Sequence, residues 1–126
     1  MSPIDTVQSF VASWRQNRAA INDSVRRYLA PDCIYENVGL SRTCGPEEAI
    51  AFFDQFATQI PFESIDVTML AIATQGDTVL TERIDDIKAA DGTTLVSLRV
   101  MGIFKLHDGK IHAWRDYFDT APFATR

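Results

Sequence analysis

Apolar positions repeat with two different periods along the chain. In the first half they recur at helical spacing. Ser2-Pro3-Ile4-Asp5 is a helix start signal: a serine cap, proline at the first helical position and an acid three residues after the cap. Val7, Phe10, Val11 and Trp14 then form one apolar stripe. A second helix is predicted from about Ala19 to Leu29, with Ile21, Val25, Tyr28 and Leu29 inward, and Pro31 bars its continuation. The run "DCIYENVGL" reads as a short strand whose residues 33, 35, 37 and 39 share a face. Gly45-Pro46-Glu47-Glu48 opens a third helix with Ile50, Phe53 and Phe56 as its stripe, and Pro61 closes it.

From Ser64 onward the period is two. Strands are predicted at about 64–74, 77–89, 93–107 and 110–119, separated by turns at Gln75-Gly76-Asp77, Asp91-Gly92 and Asp108-Gly109. The Asp-Gly pairs are hairpin signals, so these strands form an antiparallel meander. Helices followed by long hairpins give an α+β fold, a curved sheet wrapped over the helices. The 126 residues are expected to form a single domain, 1–126.

Composition narrows the function. A formal net charge of −5 and the lack of any Lys/Arg run disfavour nucleic acid as a partner. No apolar run approaches the ~18 residues of a membrane span, and no signal pattern is evident, so a cytoplasmic protein is expected. Cys33 and Cys44 are too few for a disulfide framework and read as reduced thiols. With only His107 and His112, no zinc-binding pattern is present.

Candidate chemistry lies where charge interrupts a strand. In "TERIDDIKAADG", alternation puts Thr81, Arg83, Asp85 and Ile87 on one face and Glu82, Ile84, Asp86 and Lys88 on the other. Arg83 and Asp85 then form either a surface ion pair or part of a site. The last strand, "IHAWRDYFDT", aligns His112, Trp114, Asp116 and Phe118, which sets Asp116 among aromatics and calls for a buried partner; Arg83 is the available one. Tyr35 and Asn37 share a face of the early strand and together can hold a water. Cys33 on that face reads as a small buried thiol, His107 as a surface residue, and Arg115 and Asp119 as solvated charge.

Tyr35-x-Asn37, Arg83-x-Asp85 and "MGIFKLHDGKIHAWRDYFD" with its Asp116 resemble limonene-1,2-epoxide hydrolase, in the SnoaL-like branch of the nuclear-transport-factor-2-like superfamily. The resemblance runs from about Tyr28 to Phe118. It implies a cone-shaped mixed sheet and a cofactor-independent, metal-free hydrolase acting on an apolar cyclic or terpenoid epoxide. Asp116 is then the general base, drawing a proton from a water held by Tyr35 and Asn37. Asp85 is the general acid, and Arg83 bridges the two carboxylates. Two carboxylates around one arginine in an apolar enclosure favour one shared proton, which suits an acid and a base acting together.

Ile87, Leu98, Val100, Phe118 and Phe53 are expected to line the pocket. The resemblance also implies a homodimer through the outer face of the sheet, where Met69, Val79 and Ile103 are candidates. Competing readings are a ketosteroid isomerase, disfavoured because Asn37 is a poor base, a polyketide cyclase, or a non-catalytic binding module on the same scaffold.

Overall fold

The computed structural model describes residues 1–123. Helices α1 (Pro3–Ala12) and α2 (Arg18–Tyr28) are joined by a short 3₁₀ turn at Ser13–Arg15. Strands β1 (Leu29–Asn37) and β2 (Ser41–Cys44) precede helix α3 (Pro46–Ala57). The meander β3 (Ser64–Gln75), β4 (Thr78–Lys88), β5 (Thr94–His107) and β6 (Lys110–Tyr117) follows, and a 3₁₀ turn covers Ala121–Phe123. The six strands make one sheet in the order β2-β1-β6-β5-β4-β3. Every pair is antiparallel except β1 with β6, which makes the sheet mixed.

Local signals account for the helices. Ser2 and Asp5 form the reciprocal capping box that the sequence suggests. Asn17, which carries no such signal in the reading above, caps α2 by accepting from the Ala20 N–H at 2.8 Å. The α1 stripe is buried, and Phe10 packs its ring on Trp14, Tyr28, Phe104 and Trp114. No described helix is long and apolar enough to cross a membrane.

The structure corrects several expectations. Strand β1 begins at Leu29, ahead of Pro31, because proline removes only a donor and β1 keeps its pairing to β6 on either side of a bulge. It ends at Asn37, so residue 39 is not on the strand face. Val38 to Leu40 turn the chain, with Gly39 at φ 83°, into β2, a strand too short to leave a periodic signal.

His112 does not share the face of Asp116. A bulge shifts the β5–β6 register between Leu106 opposite Ile111 and Lys105 opposite Ala113, so Ile111 and Trp114 both point inward. His112 instead lies 3.4 Å from Asp32 near the surface. Met69 and Val79 also face the core side: Met69 is opposite Arg83, and Val79 is wholly buried. Ile103 does lie outward, across from Leu80. Asp86 is outward too, accepting from the Ser97 hydroxyl at 2.6 Å.

The inner face carries one register that matters for function. Gly102 on β5 is opposite Thr81 on β4 and Asp116 on β6. A Cβ at this position would fall 2.3 Å from Arg83 Nη1, 2.6 Å from Asp116 Oδ1 and 3.0 Å from Thr81 Oγ1. The glycine therefore leaves the space in which those side chains meet. Gly102→Ala is expected to cost ~1–3 kcal/mol of stability, as overpacking does, and to disrupt the Arg83 hydrogen bonds. Urea unfolding of the variant checks this; unchanged stability would mean that the cluster shifts freely.

Candidate active site

Arg83 projects from the middle of β4 with none of its side chain exposed. A buried guanidinium is tolerable only when its donors are met. Here all five are. Nε and Nη2 grip Asp85 at 3.1 and 2.9 Å, Nη1 and Nη2 grip Asp116 at 3.2 and 3.1 Å, and Nη1 also reaches Thr81 Oγ1 at 3.1 Å. Thr81 passes its own hydroxyl proton to the Gly102 carbonyl at 3.0 Å, which leaves its oxygen free to accept. Burial works against the arginine's charge, but Asp116 and then Asp85 outweigh it and hold the guanidinium more firmly protonated than usual.

The two carboxylates have different surroundings. Asp85 receives its two donors from Arg83 alone. Asp116 receives two from Arg83 and a third from Trp114 Nε1 at 3.0 Å. Burial still raises the Asp116 pKa above its ordinary value; the charge and hydrogen bonds of Arg83 and the bond from Trp114 oppose the rise, and the charge of Asp85 adds to it. Asp116 is accordingly a stronger base than a solvated aspartate. Trp114 is fixed in turn by stacking on Tyr35, Trp14 and Phe104.

Tyr35 and Asn37 lie on β1, directly beside Trp114 and Asp116 in the parallel register. Asn37 Nδ2 donates to the Tyr35 hydroxyl and to Ser41 Oγ, each at 3.0 Å. Both amide protons are thus engaged; Oδ1 lies 3.4 Å from the Tyr35 hydroxyl and keeps a further lone pair for another partner. Burial, followed by the Asp116 charge, keeps the Tyr35 phenol well above its ordinary pKa, so it is a neutral donor. The Val38 N–H bonds to the Asp116 carbonyl at 3.0 Å, tying the β1–β2 turn to the strand that carries the carboxylate.

These polar groups border one cavity. Asp85, Asp116, Tyr35 and Asn37 line it, and its other walls are almost wholly apolar. Its volume is about 70 Å³, several times the ~10–15 Å³ that one water requires on the same measure. All five pocket residues expected from the sequence, Phe53, Ile87, Leu98, Val100 and Phe118, are part of the lining. Cys33 is buried away from it, its thiol pushed up to about 12 by burial and neighbouring charge, and so inert.

Several contributors escape the sequence reading. Trp14 and Ile21 from the helical layer, Leu40 from the β1–β2 turn, and Phe52, Phe56, Phe62 and Phe123 also line the cavity. Trp114 as a donor and Ser41 as the anchor of Asn37 were not identified. Gly102 had a visible signal, an isolated glycine within the strand pattern "LRVMGIFKL", which marks a close approach. Ser41 had none, because β2 itself left no pattern.

Comparison with known proteins places this geometry. A sequence profile for the limonene-1,2-epoxide hydrolase catalytic domain matches residues 1–124. Epoxide hydrolase EphG of Mycobacterium tuberculosis is 38% identical over 97 residues, which are 77% of this chain and 62% of that protein. The chain thus spans under two thirds of that relative's length. An epoxide hydrolase from M. tuberculosis, described as limonene-epoxide-hydrolase-like, superposes with a TM-score of 0.75 at 31% identity, over 94% of this chain and 83% of the other. A putative SnoaL-like polyketide cyclase from Jannaschia sp. CCS1 superposes equally well, at 0.75, over 96% of this chain and 88% of its own. At 19% identity that likeness speaks to fold alone. The near full-length profile match, on a cone-like sheet shared with nuclear-transport-factor-2-like proteins, establishes that this chain belongs to the limonene-1,2-epoxide hydrolase family.

Proposed function

We propose that the protein hydrolyses apolar epoxides to vicinal diols by direct attack of water. The observation that carries this reading is the Arg83 cluster: two carboxylates on one buried guanidinium, at the edge of an apolar cavity, with a tyrosine and an asparagine beside one of them. Two ionised carboxylates and one guanidinium would leave a net negative charge in a low-dielectric enclosure, which favours one shared proton. The reaction requires that proton on Asp85 and the carboxylate on Asp116, whose anion is met by donors from Arg83 and Trp114.

Hydrogen-bond counting defines the nucleophile's pose. A water that donates one proton to Asp116 and one to Asn37 Oδ1, while accepting from the Tyr35 hydroxyl, keeps one lone pair free. That lone pair attacks an epoxide carbon. Asp116 takes the water's proton as the C–O bond forms, and Asp85 delivers its proton to the ring oxygen as the other C–O bond breaks. Arg83 holds both carboxylates throughout. At the end the acid and base have exchanged protonation states, and one proton must return from Asp116 to Asp85 before the next turnover. Apolar lining around few polar groups suits a hydrophobic substrate body.

Three measurements test the reading. A single turnover of cyclohexene oxide in ¹⁸O-water is expected to give diol carrying one label. Unlabelled diol would mean that a carboxylate attacks first, and no diol from any of a panel of epoxides would overturn the activity. Asp116→Asn and Asp85→Asn are each expected to lower kcat by ~10²–10⁴-fold with the circular dichroism spectrum retained; an active Asp85→Asn enzyme would refute its role as the acid. The kcat/KM profile should fall on its acid side as Asp116 takes up a proton. Burial raises that titration, so the limb is expected above the ~3.9 of an ordinary aspartate; a limb at or below that value would assign the base elsewhere.

A further inference from the structure

We infer that the cavity selects aryl-substituted epoxides over saturated ones of the same shape, a refinement that rests on the hydrolase reading above. The cavity lining is of two kinds, aliphatic and aromatic. The β-sheet supplies branched aliphatic side chains beside the acid and base, among them Ile87 and Leu98, which flank or face Asp85. Rings from α3 and the C-terminal turn join Tyr35 of β1 and Phe118 just beyond β6 in an unbroken series. Tyr35 meets Phe52 edge-on at 6.0 Å, Phe52 stacks on Phe56 at 6.2 Å, Phe56 tilts against Phe123 at 5.9 Å, and Phe123 meets Phe118 edge-on at 6.0 Å. All of these rings border the cavity.

An aliphatic substrate would satisfy such a surface by dispersion alone. An aromatic substituent adds quadrupole contacts, edge to face or offset, with whichever rings it meets. The series presents both edges and faces, because its interplanar angles run from near-parallel (21°) through tilted (56°) to steep (78° and 86°). Phe56 is its centre, since it also contacts Phe62 at 5.5 Å. The small oxirane is then left to the polar end, where Asp85 and Asp116 act, and the aryl group extends along the rings. Phe56 is therefore a specificity-determining residue.

The test compares phenyloxirane with cyclohexyloxirane, and benzamide with cyclohexanecarboxamide as unreactive counterparts. The intrinsic reactivity of a benzylic carbon cancels when the kcat/KM ratio of the two epoxides is compared between wild type and Phe56→Leu. That ratio is expected to fall by roughly 2- to 10-fold in the variant, and similarly in Phe52→Leu. Calorimetric titration should show benzamide binding more tightly than cyclohexanecarboxamide, with the gap narrowed in both variants. Equal affinity for the two amides, or ratios unchanged in both variants, would overturn the aryl preference. A benzamide preference without diol from either epoxide would remove the hydrolase reading and leave the aryl site standing. Neither amide binding and neither epoxide reacting would overturn both.

Discussion

A fully buried arginine sets the terms for the rest of this protein. Arg83 can exist on the inner face of the sheet only because five acceptor contacts meet its five N–H groups. Removing one charged partner from such a cluster typically costs ~3–5 kcal/mol, a large share of the ~5–15 kcal/mol that stabilises a domain. Asp85, Asp116, Thr81 and the bare backbone of Gly102 are all consequences of that one placement. The two carboxylates that make the guanidinium tolerable are also those proposed for the chemistry, so in that proposal stability and activity depend on the same residues.

Unequal treatment of the two carboxylates is what would let an ion cluster serve as the acid and base proposed above. Both rest on one arginine, yet only Asp116 has an indole donor and the neighbouring Tyr35 and Asn37 of β1. The helical layer contributes indirectly: Phe10 and Trp14 hold Trp114, and Trp114 holds Asp116. Ser41 does the same for Asn37 by committing its amide protons. Asp116 and Asn37 are thus each oriented by a neighbour to which no part in the chemistry is assigned.

Much of this was legible in the sequence. Period-two alternation separates Arg83 and Asp85 from Asp86, and the aromatics around Asp116 demand a charged partner. The long helices and the Asp-Gly hairpins are equally plain. What alternation cannot see is a break in itself. The bulge in β6 turns His112 outward and Ile111 inward, and the short β2 escapes notice along with Ser41. The outward placement expected of Met69 and Val79 failed because long strands alone do not say which face is covered; register against Arg83 and Thr81 does. Phe56 reads only as part of a helix stripe, and Phe62 and Phe123 carry no signal at all, since nothing local distinguishes a ring that packs from one that lines a cavity.

The parallel pairing of β1 with β6 has a consequence for how the molecule is made. Strand β6 is the last strand in the described chain, yet it occupies an interior position between β1 and β5. The meander can pair hairpin by hairpin, while the β1–β2 hairpin joins the rest of the sheet only through β6. The contact between them spans most of the chain, the kind of long-range closure that slows folding. Arg83 and Asp116 meet within the meander itself, through β4, β5 and β6, whereas Tyr35 and Asn37 reach Asp116 only through that closure. The docking of β1 on β6 therefore both completes the sheet and brings Tyr35 and Asn37 to the carboxylates.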